Sequence, residues 1–173
     1  MIILDKFHIQ TKTINLAGAF ESLTKVLGGE YEPATKRMAE ANVKVRLRMV
    51  TLYYLANRLS YLVVGTGNRS ELSVGYFTKY GDGGVDILPL GNLLKSQVKE
   101  LALHLGIPRE IIEKPPSAGL WEGQTDEGEM GLSYEELDRY LATGEAEEGI
   151  RERVEMMMAA SAHKRSTPLI PPF

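Results

Sequence analysis

Apolar side chains recur at spacings of three and four residues in several parts of the chain, which is the pattern of one face of an α-helix. The clearest example lies between residues 36 and 59, a segment without Gly or Pro in which Val43, Leu47 and Val50 share a face. Similar spacings predict further helices over 17–27, 92–105, 133–141 and 150–161, with a short helical turn over 108–114.

Short apolar or alternating runs predict strands over 8–16, 61–64 and 85–88. Strands that alternate with helices predict an α/β fold, a sheet with flanking helices. Two or three strands are few for such a sheet. Either further strands escape the pattern, or part of the sheet is absent or supplied by another chain.

The segment 115–131 has no helical or strand periodicity and is rich in Pro, Gly and acidic residues. A loop of this length in a compact domain is usually a lid over a binding site or a disordered segment. We therefore expect one domain over residues 1–173, with a mobile lid loop at 115–131.

Composition narrows the function classes. The 173 residues carry a net charge of −3 and no cysteine. The charge gives no reason to expect binding to nucleic acid or to an anionic membrane, and no uncharged stretch is long enough to span a bilayer. The absence of cysteine excludes disulfides within these residues and fits a reducing compartment, so we expect a cytoplasmic protein.

The block from Gly65 to Asp86 is rich in glycine and polar side chains and follows directly on the predicted strand 61–64. Polar groups beyond the carboxyl end of a strand are typical of a site for a charged ligand. Gly65-x-Gly67 matches only part of the dinucleotide-binding fingerprint and by itself indicates a tight turn. Glu71 either binds a hard cation that bridges phosphates or stabilises the first turn of a helix.

Several charged residues have two interpretations. Lys79 and Asp86 lie in the glycine-rich block, where ligand contact is favoured over a solvated hairpin. Lys95 lies near the start of a predicted helix, where a bound phosphate would offset its unfavourable interaction with the helix dipole. Arg46, and the cations that begin at His163, lie on helical segments where a solvated surface is the simpler explanation.

Taken together, segments between residues 42 and 168 resemble the ammonia-dependent NAD synthetase family of the N-type ATP pyrophosphatase group. The strings that carry the resemblance are N-V-K-V-R-L-R-M, G-T-G-N-R-S-E, G-Y-F-T-K-Y-G-D-G-G-V-D, L-P-L-G-N-L-L-K-S-Q-V, K-P-P-S-A-G-L-W, L-S-Y-E-E-L-D and H-K-R. Their order and spacing are far more specific than any one of them.

The resemblance implies a fold, a reaction and a set of partners. The implied fold is adenine nucleotide alpha hydrolase-like, a Rossmann-like parallel sheet with flanking helices. ATP adenylates the nicotinate carboxylate of deamido-NAD and releases pyrophosphate, and ammonia then attacks the acyl adenylate to give NAD and AMP. Mg²⁺ is the implied metal, and a homodimer is the implied assembly. No glutaminase-like segment is present in the sequence, so ammonia is the expected nitrogen source.

The resemblance also implies a role for individual positions. Thr66, Lys95 and Ser117 would contact ATP, and Glu71 would be a Mg²⁺ ligand. The residues that would contact deamido-NAD are Arg46, Lys79, Asp86, His163 and Lys164.

One departure from the family pattern affects the expected activity. The family carries an S-G-G-x-D-S loop that binds the ATP pyrophosphate, and the 173 residues contain no such string. We therefore expect a fold that is truncated at its N-terminus. The alternative function is a non-catalytic paralogue or fragment that binds a dinucleotide or only dimerises. Another pyrophosphatase-loop ligase is disfavoured by the G-Y-F-T-K-Y-G-D-G-G-V-D string and by the lack of cysteine.

Overall fold

The computed structural model describes residues 2–28 and 33–172. Met1, residues 29–32 and Phe173 belong to the predicted domain 1–173 but lie outside the described residues. The described residues form α-helices that we number α1 (Ile2–Phe7), α2 (Ala17–Leu27), α3 (Pro33–Leu59), α4 (Arg69–Val74), α5 (Lys95–His104), α6 (Arg109–Ile112), α7 (Asp126–Met130), α8 (Tyr134–Thr143) and α9 (Glu148–Ala160). A 3₁₀ turn at Ala162–Lys164 follows α9. The helices predicted from apolar spacing are confirmed.

Local sequence explains where the helices that carry the site begin and end. Asn68 caps α4: its side-chain oxygen accepts a hydrogen bond from the Glu71 N–H at 3.0 Å, and the Glu71 carboxylate accepts one from the Asn68 N–H at 3.1 Å. Ser133 and Glu136 form the same reciprocal pair at the start of α8. Gly144 ends α8 in the left-handed conformation.

The predicted parallel sheet is not confirmed. Among the described residues, the β-structure is one isolated parallel bridge between Val64 and Ile87. The strand prediction over 8–16 is wrong: residues 9–16 have no regular structure, and nearly all of their side chains are exposed. A strand needs a partner for its N–H and C=O groups and a covered apolar face, and local alternation supplies neither.

The predicted lid 115–131 is partly helical. Its last residues, Asp126–Met130, form α7, which is capped by the Thr125 side chain and ended by Gly131. The first turn of this helix is rich in acidic residues. Their negative charges stabilise a helix N-terminus, but they also interrupt the apolar spacing from which a helix is predicted. The mobility of the segment stays a prediction.

The main hydrophobic core lies where α4, α7, α8 and α9 meet. Val74, Met130, Leu137 and Val154 are almost completely buried there. This core supports the end of α4 opposite to its capped start, so the position of Glu71 depends on it. Within the described residues, no helix combines the length and the apolar character needed to cross a membrane.

Candidate functional site

An open cleft of about 480 Å³ lies between α4, α5 and the segment that precedes α7. Four residues that the family resemblance singles out line this cleft, although they come from separate parts of the sequence: Thr66, Glu71, Lys95 and Ser117. These are the predicted ATP and metal positions. Apolar residues from α5 and α6, including Val98 and Ile111, form another wall. The cleft therefore combines charged and apolar surfaces, as a nucleotide site does.

Glu71 has a different partner at each carboxylate oxygen. Its Oε2 accepts the hydrogen bond from the Asn68 N–H that caps α4, at 3.1 Å. Its Oε1 lies 2.9 Å from Lys95 Nζ, with both side chains about one-sixth exposed. The alternatives left open for Glu71 are thus not exclusive, because one oxygen stabilises the helix and the other faces the cleft.

Lys95 is held by three kinds of contact. Its Nζ forms the ion pair with Glu71 and lies 4.7 Å from the centre of the Tyr134 ring. Its backbone N–H donates to Ser70 Oγ at 3.0 Å. The ammonium group therefore reaches the cleft from a fixed backbone position, which is what a phosphate-binding lysine requires.

Two tyrosines link the carboxylates around the cleft. Tyr134 Oη lies 3.0 Å from Asp126 Oδ2 and 3.3 Å from Glu71 Oε1. Tyr76 Oη lies 3.2 Å from Asp126 Oδ1 and also contacts Glu129. Each phenol has one proton and cannot donate to two carboxylates at once. Burial raises the pKa of the Asp126 carboxyl, and burial is also the main cause that raises the pKa of both tyrosines.

Sequence reasoning missed Tyr134 and Asp138, which contact Glu71 and the Lys95 backbone, and Asp126, which lines the cleft and contacts Tyr134. One signal was available. The Ser133 cap fixes the start of α8, and this places Tyr134 and Asp138 one turn apart on the same face. The sequence does not show that this face meets α4 and α5.

Three of the predicted deamido-NAD positions lie next to one another. Arg46 Nε donates to the backbone carbonyl of Lys79 at 3.3 Å, and Lys79 Nζ donates to the backbone carbonyl of His163. The three residues therefore lie in one region, with Arg46 and His163 exposed. Their predicted role in binding a phosphate-bearing dinucleotide stays a prediction.

Lys164 is half-buried beside the cleft. Its Nζ donates to the carbonyls of Gly75 and Phe77 at 2.7 and 2.8 Å. Burial lowers the pKa of the Lys164 ammonium, and the negative charge of Asp82 opposes that shift. Asp82 also lines the cleft, so it joins the two groups of predicted residues.

Asp86 is bonded to a different part of the molecule. Its Oδ1 accepts a hydrogen bond from Tyr53 Oη at 3.0 Å, and its Oδ2 accepts one from the Val63 N–H at 2.6 Å. These bonds tie the segment before the Val64–Ile87 bridge to α3. The structure therefore gives Asp86 a structural role, and its predicted contact with deamido-NAD stays a prediction.

Comparison with known proteins places the chain among synthetases. The model of the family described as NAD synthase matches residues 1–168. Two proteins described as NH(3)-dependent NAD(+) synthetase, from Carboxydothermus hydrogenoformans and Syntrophomonas wolfei, are 50% and 51% identical to it. Each match covers 98% of this chain and 70% of the relative.

Solved structures give the same result. NMN synthetase from Francisella tularensis has a TM-score of 0.93 and 41% identity, covering 99% of this chain and 71% of that one. NH3-dependent NAD synthetase from Campylobacter jejuni has a TM-score of 0.74 and 26% identity, covering 99% and 69%. These likenesses support an adenine nucleotide alpha hydrolase-like fold, even though the described residues show little sheet. On the family match and on the identity to its members, the chain belongs to the NAD synthase family.

Proposed function

We propose that this chain catalyses the ATP-dependent amidation of deamido-NAD by ammonia, which gives NAD, AMP and pyrophosphate. One observation carries the proposal. The residues that the family resemblance assigns to ATP and metal, Thr66, Glu71, Lys95 and Ser117, line a single cleft although up to 51 positions separate them in the sequence (117 − 66). A relative with 50% identity is described as a synthetase, which does not favour the alternative of a non-catalytic paralogue or fragment.

The residues of the cleft suit the two partial reactions. In the first, the nicotinate carboxylate attacks the α-phosphorus of ATP and pyrophosphate leaves. Lys95 would bind phosphate oxygens and stabilise the charge that develops on them. Thr66 and Ser117 would donate hydroxyl hydrogen bonds that orient the nucleotide. In the second, ammonia attacks the acyl carbon and AMP leaves.

The donor set fits a Mg²⁺ ion that is held mainly by substrate. Mg²⁺ commonly takes one or two carboxylates together with substrate phosphates. Glu71 and Asp126 both line the cleft, whereas the described residues contain no group of three or more His, Cys, Asp or Glu that could hold a metal. When bound, Mg²⁺ would neutralise phosphate charge. Glu71 Oε1 is the oxygen that faces the cleft, and Lys95 is then free to bind phosphate.

A second candidate product follows from the structural comparison. The solved structure with a TM-score of 0.93 is described as an NMN synthetase, whereas the NAD synthetase from Campylobacter jejuni has a TM-score of 0.74. The same chemistry on nicotinate mononucleotide would give NMN. The two substrates differ only in the second nucleotide, which deamido-NAD contains and nicotinate mononucleotide lacks. The choice between them therefore depends on the surface near Arg46, Lys79 and His163.

The decisive experiment supplies ATP, Mg²⁺ and ammonium to the 173-residue chain, with deamido-NAD or nicotinate mononucleotide in parallel reactions. We expect amidated product and AMP in equal amounts, and the preferred substrate identifies the product. Glu71→Gln should raise the Mg²⁺ concentration needed for half-maximal rate. Glu122→Gln, an exposed carboxylate outside the cleft lining, is the matched control. No AMP with either substrate would contradict the proposal, and an unchanged Mg²⁺ dependence would contradict the metal assignment.

The homodimer and the cytoplasmic location belong to the same proposal. Large apolar side chains along α3 are exposed, among them Val50 at 57% and Tyr54 at 59%. An exposed apolar surface of this kind favours contact with a second protein surface. The absence of cysteine suits a reducing compartment.

A further inference from the structure

Asp138 is a buried carboxylate at the end of the string L-S-Y-E-E-L-D; the family resemblance assigns it no role, and the proposed reaction does not use it. It lies on α8, where its side chain is 6% exposed. Its Oδ2 accepts a hydrogen bond from the Ser96 N–H at 2.7 Å. Its Oδ1 accepts one from Ser70 Oγ and lies 3.4 Å from the Lys95 N–H. A buried carboxylate is stable only when such donors surround it, so the position of Asp138 is set by these hydrogen bonds.

These contacts place Asp138 at the start of α5. The first N–H groups of a helix have no partner within the helix. The N-cap of α5 is Leu94, whose side chain offers no acceptor for them. Asp138 supplies the acceptors from another helix, directly to Ser96 and, with the Ser70 hydroxyl, to Lys95. It therefore fixes the backbone of the residue whose Nζ reaches the cleft.

The same carboxylate also holds α4. Ser70 is completely buried, and it both donates to Asp138 and accepts from the Lys95 N–H. Ser70 precedes Glu71, so the Asp138–Ser70 contact joins the two helices at the positions that carry the Glu71–Lys95 ion pair. Asp138 thus sets the distance between the two helices where they line the cleft.

We propose that Asp138 is a positioning residue that fixes Lys95 relative to Glu71. Its expected effect on ATP use rests on the proposed function, whereas its effect on Lys95 does not. Asn at position 138 keeps the size of the side chain but loses its charge. Its amide nitrogen would also face a backbone N–H donor, that of Lys95 in one orientation or that of Ser96 in the other. The start of α5 should then shift, and Lys95 should leave its ion pair.

The test uses Asp138→Asn and measures Lys95 directly. Acetic anhydride labelling followed by mass spectrometry reports how accessible each lysine amine is. Labelling of Lys95 should rise severalfold in the variant, relative to Lys99, an exposed lysine one turn further along α5. Glu135→Gln, an exposed carboxylate on α8, makes the same charge change and should leave the labelling unchanged.

Steady-state kinetics supply the second readout. With the preferred substrate, Asp138→Asn should raise KM for ATP by about tenfold, which is the effect expected from loss of one charged hydrogen bond. KM for the nucleotide that is amidated, deamido-NAD or nicotinate mononucleotide, should stay unchanged. Ser70→Ala, a milder change, should act in the same direction and serves if Asp138→Asn does not fold.

The outcomes separate this inference from the proposed function. Unchanged Lys95 labelling in the variant overturns the positioning role, whatever the turnover. Equal increases in KM for both nucleotides also overturn it, because a merely structural residue would act on the whole cleft. Increased Lys95 labelling in a chain that makes no AMP supports the positioning role and contradicts the proposed function alone.

Discussion

Lys164 makes contacts whose loss should be measurable as a change in protein stability. Its Nζ donates to the Gly75 and Phe77 carbonyls at 2.7 and 2.8 Å, and the Nζ lies 5.4 Å from the centre of the Phe77 ring. Lys164→Met keeps the apolar stem and removes the ammonium group. We expect the free energy of unfolding to fall by about 2–3 kcal/mol, because two hydrogen bonds from a half-buried charge are lost together.

The measurement is urea unfolding followed by circular dichroism. With the urea dependence usual for a domain of this size, a loss of about 2–3 kcal/mol lowers the unfolding midpoint by about 1–2 M. Lys12→Met is the matched control, because Lys12 is exposed in the irregular segment before α2. Its effect should stay within about 0.5 kcal/mol.

Two results would refute parts of this reasoning. Equal stability of Lys164→Met and Lys12→Met would show that the Nζ contacts contribute little in solution. Calorimetric titration with deamido-NAD tests the other role that the resemblance implies for Lys164. A variant that is less stable but binds the dinucleotide as wild type does would make Lys164 a structural residue only.

Two further predictions concern residues near the same helices. Asp126 has a raised pKa in the folded state because it is buried, so its stabilising contribution is present below the ordinary carboxyl pKa and lost as the pH rises through the raised value. Asp126→Asn has no carboxyl to titrate, so its stability does not fall in this pH range for that reason. In urea unfolding, the free energy of unfolding of the variant relative to wild type should therefore rise with pH, by at most about 1.4 kcal/mol per pH unit. A difference that stays constant with pH would contradict this. Gly75 has a φ of 68°, and an added Cβ would lie 2.1 Å from Ser161 Cβ. Gly75→Ala should therefore destabilise the protein by about 2–4 kcal/mol in the same assay. The loss should exceed that of Gly144→Ala, where φ is also positive but an added Cβ would meet no atom within 4 Å beyond its immediate neighbours along the chain. Equal losses would contradict the clash.

The longer helices could be predicted because their determinants are local. Apolar spacing along α3 and the cap at Ser133 are read from neighbouring residues, whereas the short helices α1 and α4 were not predicted. The strands could not be predicted in the same way, because a strand is defined by its pairing. Residues 9–16 alternate as an edge strand would, yet in the structure they lie exposed without a partner. Val64 and Ile87, which lie in the predicted strands 61–64 and 85–88, do pair, but only as one bridge.

The candidate site shows the same division. The family strings gave Glu71 and Lys95 from short motifs, and the structure brings them to 2.9 Å of each other. The residues that support this pair were not predictable, because their contacts span long sequence distances. Tyr134 is 63 positions from Glu71, and Asp138 is 68 positions from Ser70. Only tertiary packing of α8 against α4 and α5 makes these contacts.

The two oxygens of Glu71 separate its structural role from its functional one. Oε2 accepts the Asn68 N–H that caps α4, and Oε1 faces Lys95 across the cleft. Glu71→Gln can keep the cap, since its amide oxygen can take the Oε2 position, but its amide nitrogen then faces the Lys95 ammonium as a second donor. Glu71→Ala removes the bond from the Asn68 N–H and the ion pair together, although the Asn68 side chain can still cap the backbone N–H of residue 71; the lost hydrogen bond costs about 1 kcal/mol of stability. If both variants need more Mg²⁺ for half-maximal rate, and only Glu71→Ala is less stable, the functional effect belongs to the oxygen in the cleft and not to fraying of α4.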